Sequence, residues 1–256
     1  VSKTDLVVAK WLPADIVSLG INKDFNIYRS KMKFYAVIFA ATFSIAFGLP
    51  WEPEPRTDQY WIDRHNLFKQ NSLNNNASIN VIFWGDSITE GWDGETFDQY
   101  YVPVGTANYG IGSDRVEHVL YRVRDGEVTD NIHPKLCVIK IGTNNLGGHD
   151  DTQIALGNLV LVNDLRERLP NMKILLLGIL PRTNEEWTAR TSNINGIISR
   201  LDNGRTIRFL DMKEHFYYGG NNFATELYTS DLLHLTPAGY RKWAEVMDPL
   251  FREMLG

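Results

Sequence analysis

Short runs of almost entirely apolar residues alternate along this chain with segments whose apolar residues recur at helical spacing. The clearest runs cover residues 81–84, 135–141 and 173–180. A strand that is apolar on both sides is buried on both faces, which is typical of a parallel sheet covered by helices. With 256 residues, 43% of them hydrophobic, the chain is long enough for one sizeable core. The alternation therefore predicts one α/β domain with helices on both faces of a parallel sheet.

Capping and turn residues predict where several helices begin and end. Thr236 followed by Pro237 predicts the start of a C-terminal helix, and Asp114 predicts the N-cap of a helix that Gly126 ends. The predicted strands are residues 81–84, 102–108, 135–141, 173–180 and 206–210, and the predicted helices are 60–68, 115–124, 151–169, 185–201 and 237–254.

The first apolar run leads directly into the tripeptide Gly85-Asp86-Ser87. A polar residue that follows a buried strand and a small turn residue is presented at the carboxyl edge of the sheet, where α/β proteins bind ligands. A serine hydroxyl becomes an effective nucleophile only when a base accepts its proton and donors stabilise the resulting oxyanion. Ser87 is therefore a candidate nucleophile if other parts of the chain supply those groups.

The loop before the C-terminal helix supplies a histidine and a carboxylate three residues apart. One turn at this spacing can bring the Asp231 carboxylate onto the Nδ1–H of His234 and leave Nε2 facing a serine. An Asp-x-x-His pattern alone is more often ordinary loop polarity. Only its combination with Ser87 makes it a candidate triad.

Two further loops carry groups that can donate hydrogen bonds to a substrate oxygen. Residues 109–114 read Tyr-Gly-Ile-Gly-Ser-Asp, and the glycines let backbone N–H groups approach a ligand closely. A dinucleotide-binding pattern has little weight here, because Arg115 stands where the third glycine would be. Asn144 follows the apolar run 135–141, where an asparagine is equally an ordinary turn residue.

Taken together, these motifs resemble the SGNH, or GDSL, hydrolase family. Four separated segments occur in the family's order, from about residue 79 onward: residues 85–88, Asn108 with residues 110–114, residues 142–145 and residues 231–234. Residues 108–122 and 177–182 further resemble the branch that contains the catalytic subunits of intracellular platelet-activating factor acetylhydrolase.

This resemblance implies a flavodoxin-like, three-layer α/β/α fold with a central parallel sheet of about five strands. It also implies ester hydrolysis through a Ser–His–Asp triad and an acyl-enzyme, without a metal or another cofactor. Matched motif by motif, Ser87 is the nucleophile, His234 the base and then the acid, and Asp231 the partner that orients it.

The resemblance further implies three oxyanion donors: the Ser87 N–H, a backbone N–H of Gly112 or Ser113, and the Asn144 side-chain amide. The family's usual glycine immediately before the aspartate is Ser113 in this chain. If that position requires positive φ, a serine there is strained by about 1–3 kcal/mol.

The early part of the chain carries a pattern typical of a secretory signal peptide. From Met32 there is one lysine, then an apolar stretch, then small residues up to Gly48, and the stretch is short for a membrane span. We expect cleavage after Gly48, with residues 1–31 as upstream sequence. The alternative is a genuine extension followed by an anchor or a core helix.

Residues 49–78 are then predicted to be a leader and a packing helix, and residues 79–256 the hydrolase domain. Asn76 begins a glycosylation sequon in a polar loop, residues 71–80, which supports secretion only weakly. Such a leader differs from the acetylhydrolase branch, whose known mammalian members are cytosolic.

Composition narrows the partners that the chain is expected to have. A net charge of −5 gives no reason to expect nucleic acid. The lone Cys137 lies in an apolar run and is expected to be a core thiol, and neither Asp150-Asp151 nor Asp93-Gly94-Glu95 has metal-ligand spacing. The remaining histidines are expected to be structural or exposed: His65, His118, His133, His149 and His215.

The function expected is hydrolysis of a small-molecule, lipid or glycan ester with a short acyl group. The acetyl group is favoured only by the resemblance. A deacetylase of extracellular polysaccharide is the second hypothesis. A secreted carbohydrate- or lipid-binding module without turnover is the third. The sequence leaves the oligomeric state open.

Overall fold

The computed structural model describes residues 48–74 and 78–256. The described residues contain one parallel sheet of five strands with the order β2-β1-β3-β4-β5. The strands are β1 (Val81–Gly85), β2 (Thr106–Gly110), β3 (Leu136–Lys140), β4 (Lys173–Leu177) and β5 (Ile207–Leu210).

Eight α-helices lie within the described residues. They are α1 (Gln59–Asn74), α2 (Ser87–Glu90), α3 (Gly94–Tyr100), α4 (Val116–Arg122), α5 (Asp151–Arg168), α6 (Glu185–Ile198), α7 (Lys213–Phe216) and α8 (Pro237–Leu255). Short 3₁₀ turns connect some of these elements, including Val102–Val104 and Thr143–Asn145.

The sheet separates two hydrophobic cores, because successive side chains of a strand point to opposite faces. On β1, Ile82 and Trp84 enter the core that α1, α4, α5 and α6 cover, whereas Val81 and Phe83 enter the core that α8 covers. All four residues are fully buried. The three-layer α/β/α fold with a five-stranded parallel sheet is confirmed.

The strand order places a crevice between the carboxyl ends of β1 and β3. The chain leaves β1 for β2 on one side and then crosses to β3 on the other side of β1. Ligands of open α/β sheets bind at such a reversal of direction, outside the carboxyl ends of the strands. Ser87 follows β1 and Asn144 follows β3, so this crevice is where the predicted site residues converge.

The predicted strand 102–108 is wrong in its first half. Residues Val102–Val104 form a 3₁₀ turn with Pro103 inside it, and β2 begins only at Thr106. Proline cannot donate a backbone hydrogen bond to a neighbouring strand. Gly105 then reverses the chain at a φ of 73°, and a Cβ there would lie 2.6 Å from the Ser78 carbonyl oxygen.

The predicted loop at residues 71–80 is also wrong at its beginning, because α1 continues to Asn74. Ser72 is buried and its hydroxyl donates to the Glu127 carbonyl at 2.8 Å, so this polar residue lies on the buried face of α1. Asn76 and most of the predicted signal peptide, residues 32–47, lie outside the described residues. No helix in residues 48–74 and 78–256 is both long and apolar enough to cross a membrane.

Candidate active site

Ser87 is held at the carboxyl end of β1 by a tight strand-to-helix turn. Gly85 has no room for a side chain, since a Cβ there would lie 2.6 Å from the Lys140 carbonyl oxygen. The Asp86 carboxylate is fully buried and accepts the Ile88 N–H at 3.0 Å, which makes Asp86 the N-cap of α2. Ser87 is therefore the first residue of a capped helix, with its side chain at the edge of the sheet.

Ser87, His234 and Asp231 form a continuous hydrogen-bonded chain. Ser87 Oγ lies 2.9 Å from His234 Nε2, and His234 Nδ1 lies 2.6 Å from Asp231 Oδ2. Because the carboxylate can only accept, the network assigns the proton to Nδ1 and leaves Nε2 to accept the serine hydroxyl. The structure thus brings together Ser87 and the Asp231–His234 pair, which the sequence carries in two separate motifs.

The Asp231 carboxylate is fixed by several donors in addition to His234. Its Oδ1 accepts the Leu233 N–H at 2.9 Å, the His234 N–H at 3.0 Å and the Thr229 hydroxyl at 2.7 Å. Partial burial alone would raise the pKa of Asp231, but the hydrogen bonds from His234, Thr229 and the two backbone N–H groups outweigh it. The pKa of Asp231 is therefore held well below its usual range, and the carboxylate remains charged.

The loop that carries Asp231 and His234 is braced by the segment after β4. Leu232 has a φ of 50°, and its carbonyl oxygen accepts the Thr183 N–H at 2.8 Å. The Tyr228 hydroxyl donates to the Pro181 carbonyl at 2.7 Å. Thr236 accepts the Gly239 N–H at 3.1 Å, which confirms it as the N-cap of α8. The loop is therefore anchored on both sides of the two functional side chains.

The turn at residues 111–114 lies directly beside Ser87. A Cβ built on Gly112 would be 3.8 Å from Ser87 Cβ. The Gly112 N–H is already engaged, because it donates to Glu90 Oε2 at 2.8 Å. Ser113 has a φ of 65°, and its N–H has no acceptor among the described residues. Of the two predicted backbone donors, Ser113 is thus the one that is free to meet a substrate oxygen.

The Asn144 side chain reaches the same turn from the 3₁₀ turn that follows β3. Its Nδ2 donates one hydrogen to the Asp114 carbonyl at 2.9 Å, which leaves the second hydrogen of the amide for another acceptor. Arg182 fixes the preceding residue, since its Nη1 lies 3.1 Å from both the carbonyl oxygen and the hydroxyl of Thr143. Arg182 also stacks over Trp187, 5.2 Å from the ring centroid.

Asp114 does not cap α4 as predicted. Its carboxylate is fully buried and accepts Arg122 Nε at 2.9 Å and Trp61 Nε1 at 2.9 Å. The residue at the N-cap is Arg115, and Asn145 Oδ1 supplies the acceptor for the Val116 N–H at 3.0 Å. Burial raises the pKa of Asp114 to about 7, an effect that the neighbouring arginines oppose.

A buried ion pair extends this arrangement away from the crevice. Arg122 Nη1 donates to the two Glu127 carboxylate oxygens at 2.8 and 2.7 Å, and both residues are fully buried. Glu127 also accepts Trp84 Nε1 at 2.9 Å and contacts His65 Nδ1 at 2.9 Å. On the opposite side of the sheet, the buried Lys140 ammonium lies 3.7 Å from Asp86 Oδ1, and burial lowers the pKa of Lys140.

The sequence did not identify Glu90, Arg182 or Lys140 as parts of this region. Lys140 and Arg182 are charged residues near the end of an apolar run, and Glu90 ends the short helix after β1. A solvated side chain is the usual expectation for each of them. Arg182 carried the clearest signal, since it ends the segment 177–182 that the resemblance had already singled out.

Within the described residues, none of the other histidines forms a hydrogen bond with Ser87. Burial lowers the pKa of His118 to about 3, and its Nδ1 accepts the Arg115 N–H at 3.0 Å. His149 Nε2 donates to the Gly48 carbonyl at 2.7 Å. Cys137 is a buried free thiol, as predicted. Across the described ranges, no group of three or more His, Cys, Asp or Glu side chains is arranged to hold a metal ion.

A parallel sheet with a hydroxyl, an imidazole and a carboxylate in hydrogen-bond contact at its carboxyl edge is typical of α/β hydrolytic enzymes. Comparison with known families makes the assignment specific. Residues 83–242 match the model of the GDSL-like lipase/acylhydrolase family. The chain belongs to this family, and it is by class a carboxylic ester hydrolase.

Among curated proteins, the chain is 31% identical over 205 residues to platelet-activating factor acetylhydrolase IB subunit alpha2 of Rattus norvegicus, covering 77% of this chain and 86% of that protein. It is 34% identical over 155 residues to a platelet-activating factor acetylhydrolase IB subunit beta homolog of Drosophila melanogaster, covering 59% and 67%. The fold is similar to that of a GDSL-like lipase from Bacteroides thetaiotaomicron, with a TM-score of 0.58, 22% identity, and 74% and 98% of the two chains covered.

Proposed function

We propose that this protein is a serine esterase that hydrolyses short-chain acyl esters, with acetyl esters as the preferred substrates. The observation that carries the proposal is the chain from Ser87 through His234 to Asp231, with distances of 2.9 and 2.6 Å. The similarity to acetylhydrolase subunits supports the choice of a short acyl group.

The reaction begins with proton transfer from Ser87 to His234. Nε2 accepts the hydroxyl proton while Oγ attacks the ester carbonyl carbon, and Asp231 stabilises the imidazolium that forms. Because Asp231 has a lowered pKa, it remains an anion throughout this step. His234 then returns the proton to the departing alcohol, which leaves an acyl-enzyme on Ser87. A water activated by His234 hydrolyses that ester and restores the enzyme.

The oxyanion of each tetrahedral intermediate accepts hydrogen bonds from the Ser87 N–H, the Ser113 N–H and the second hydrogen of the Asn144 amide. Removal of one such donor typically lowers turnover by about 10²–10³. Asn144→Ala is expected to lower kcat by roughly that factor and to change KM little, because the contact forms mainly in the transition state. Steady-state kinetics with p-nitrophenyl acetate measure both constants. A kcat within a few-fold of the parent protein would contradict a role for this amide.

The main test of the proposal is Ser87→Ala. The variant is expected to lose hydrolysis of p-nitrophenyl acetate and covalent labelling by a fluorophosphonate. Ser199→Ala is the matched control, because this serine is on the surface and its hydroxyl donates only to the Gly196 carbonyl, at 3.1 Å. Full activity in Ser87→Ala would refute the assignment of the nucleophile. Absence of both labelling and turnover in the parent protein would instead favour a binding module on the same fold.

The substrate class is tested with a series of p-nitrophenyl esters of increasing acyl length. An acetylated glycan and an acetyl phospholipid are assayed beside it. The proposal expects kcat/KM to fall as the acyl chain lengthens. Preference for the acetylated glycan over all small esters would support the polysaccharide deacetylase instead.

We also propose that the protein is secreted, with cleavage after Gly48. The support is the signal-peptide pattern of residues 32–48. Cleavage would remove two contacts of Gly48, whose N–H donates to Glu54 at 3.0 Å and whose carbonyl accepts from His149. Mass spectrometry of the protein from culture medium is expected to find Leu49 as the first residue. A first residue well upstream of Leu49 would contradict cleavage.

A further inference from the structure

The turn beside Ser87 is held by contacts to two successive peptide units. The Gly112 N–H donates to Glu90 Oε2 at 2.8 Å, and the Gly112 carbonyl accepts a hydrogen bond from Arg56 Nη1 at 2.5 Å. Ser113 follows with a φ of 65°. A serine in this left-handed conformation costs about 1–3 kcal/mol and persists only where its surroundings determine it strongly.

The hydrogen bond from Arg56 controls the direction of the Ser113 N–H, because the Gly112 carbonyl and the Ser113 N–H belong to one peptide unit. A trans peptide is planar, and its carbonyl oxygen and N–H point in opposite directions. The described residues contain no cis peptide bond. When the Gly112 carbonyl points toward Arg56, the Ser113 N–H must therefore point away from Arg56. The cation at the carbonyl also polarises the peptide and makes its N–H a stronger donor.

Arg56 is itself held in place by acidic partners on two sides. Its Nε donates to Asp58 Oδ2 at 2.9 Å, and its Nη1 lies 3.3 Å from Asp114 Oδ1. Asp58 also accepts the Trp61 N–H at 3.0 Å, which ties the arginine to the first turn of α1. The Arg56 side chain is only 19% exposed. A guanidinium with several fixed partners can hold a backbone carbonyl in one orientation.

We propose that Arg56 is a positioning residue that keeps the Gly112–Ser113 peptide oriented with the Ser113 N–H available to the substrate oxyanion. This inference rests on the proposed function. Arg56 lies outside residues 83–242, the part that matches the family model. The segment before the family domain therefore contributes to the oxyanion site without touching the substrate.

The first variant is Arg56→Met, which keeps most of the apolar stem and removes every donor. Its kcat for p-nitrophenyl acetate is expected to fall at least about tenfold, toward the loss seen when a whole oxyanion donor is removed, while KM changes less than about twofold. Arg56→Lys keeps a cation and is expected to retain more of the activity than Arg56→Met. An unchanged kcat in Arg56→Met would overturn the proposal.

The second step repeats Arg56→Met in a Ser113→Gly background. Glycine adopts positive φ without a steric penalty, so the turn no longer depends on Arg56 for its conformation. Arg56→Met is then expected to lower kcat by less than about threefold, so that the two changes are not additive. An equal loss of kcat in both backgrounds would show that Arg56 only stabilises the fold, and would overturn the proposal.

Arg166→Met is the matched control for removal of a guanidinium from a backbone carbonyl. Arg166 Nη2 donates to the Pro170 carbonyl at 2.7 Å, before β4 and therefore at the opposite edge of the sheet from Ser87. This variant is expected to leave kcat unchanged. Circular dichroism on all variants checks that they are folded.

A crystal structure of Arg56→Met separates this inference from the proposed function. Ser113 is expected to leave the left-handed region in that variant, and a φ still near 65° would overturn the inference. Absence of Ser87-dependent hydrolysis in the parent protein would refute the proposed function alone. The conformation of Ser113 would still decide the role of Arg56.

Discussion

At the scale of single residues, the candidate site depends on a few left-handed backbone conformations that non-glycine residues rarely adopt. Among the described non-glycine residues, Ser113, Thr183 and Leu232 have positive φ, at 65°, 59° and 50°. All three lie in segments that contact the candidate site. Strain of this kind persists where the surrounding structure compensates for it, and it is concentrated at functional sites.

Ser113→Gly is expected to stabilise the protein. The release of a left-handed serine is worth about 1–3 kcal/mol, and the extra flexibility of glycine in the unfolded chain takes back about 0.5–1 kcal/mol. The free energy of unfolding in urea is therefore expected to rise by about 1 kcal/mol. Ser113→Ala is the control, because alanine loses the hydroxyl but keeps the steric penalty. Equal stabilisation by alanine would mean that strain at this position is not the cause.

The catalytic candidates could be predicted from the sequence, but their supporting contacts could not. Ser87 and His234 were predicted because each stands in a short motif whose local geometry is nearly fixed. Glu90 and Arg56 act through the backbone of Gly112, which is far from both in the sequence. Long-range contacts of this kind leave no periodic or spacing pattern. The open choice between Gly112 and Ser113 therefore needed the structure.

At the scale of elements, apolar runs predicted the strands well, whereas the ends of elements depended on tertiary contacts. Asp114 has the residue type and position of an N-cap, yet it pairs with Arg122, which lies eight residues further on and is fully buried. A local rule cannot distinguish these two roles. Strand β2 begins later than predicted for a local reason, since the sequence rule did not weigh the missing N–H of Pro103.

The beginning of α4 carries a pH dependence that can be tested. Burial, together with Arg115, Arg56 and Arg122, lowers the pKa of His118 to about 3. His118 takes up a proton near pH 6.5 in the unfolded chain, whereas in the folded protein it does so only at about pH 3. The contribution of His118 to the free energy of unfolding is therefore fully present above about pH 6.5, and it falls by ~1.4 kcal/mol per pH unit below that.

His118→Gln is expected to reduce this loss. A glutamine oxygen can accept the Arg115 N–H as His118 Nδ1 does, but it does not titrate. Urea unfolding of both proteins at about pH 7, 6 and 5 measures the difference. Asp114 titrates in the opposite sense but is present in both proteins, so the comparison isolates the histidine. Parallel stability curves would contradict the assignment.

At the scale of the whole molecule, one buried carboxylate connects three elements. Glu127 is bonded to Arg122 of α4, to Trp84 of β1 and to His65 of α1. Glu127→Gln keeps the shape of the side chain but leaves Arg122 with less compensation for its charge. Removal of one partner from a buried ion pair costs about 3–5 kcal/mol.

The free energy of unfolding of Glu127→Gln is expected to fall by about 3 kcal/mol or more in denaturant titrations. Glu253→Gln is the control, since Glu253 pairs with Arg208 at 3.0 Å on the surface and its side chain is 67% exposed. Its effect is expected to stay within about 0.5 kcal/mol. Similar effects of the two substitutions would contradict the importance of the buried pair.

The hydroxyl and the imidazole of the candidate site are separated by 147 positions along the chain. Between them lie β2, β3, β4 and β5, so nearly the whole sheet must be complete before the two groups can meet. A ribosome-bound chain that has emerged only as far as β5 thus exposes a serine without its base. On the proposed mechanism, hydrolysis therefore requires that all five strands have been synthesised and that the segment after β5 has folded beside β1.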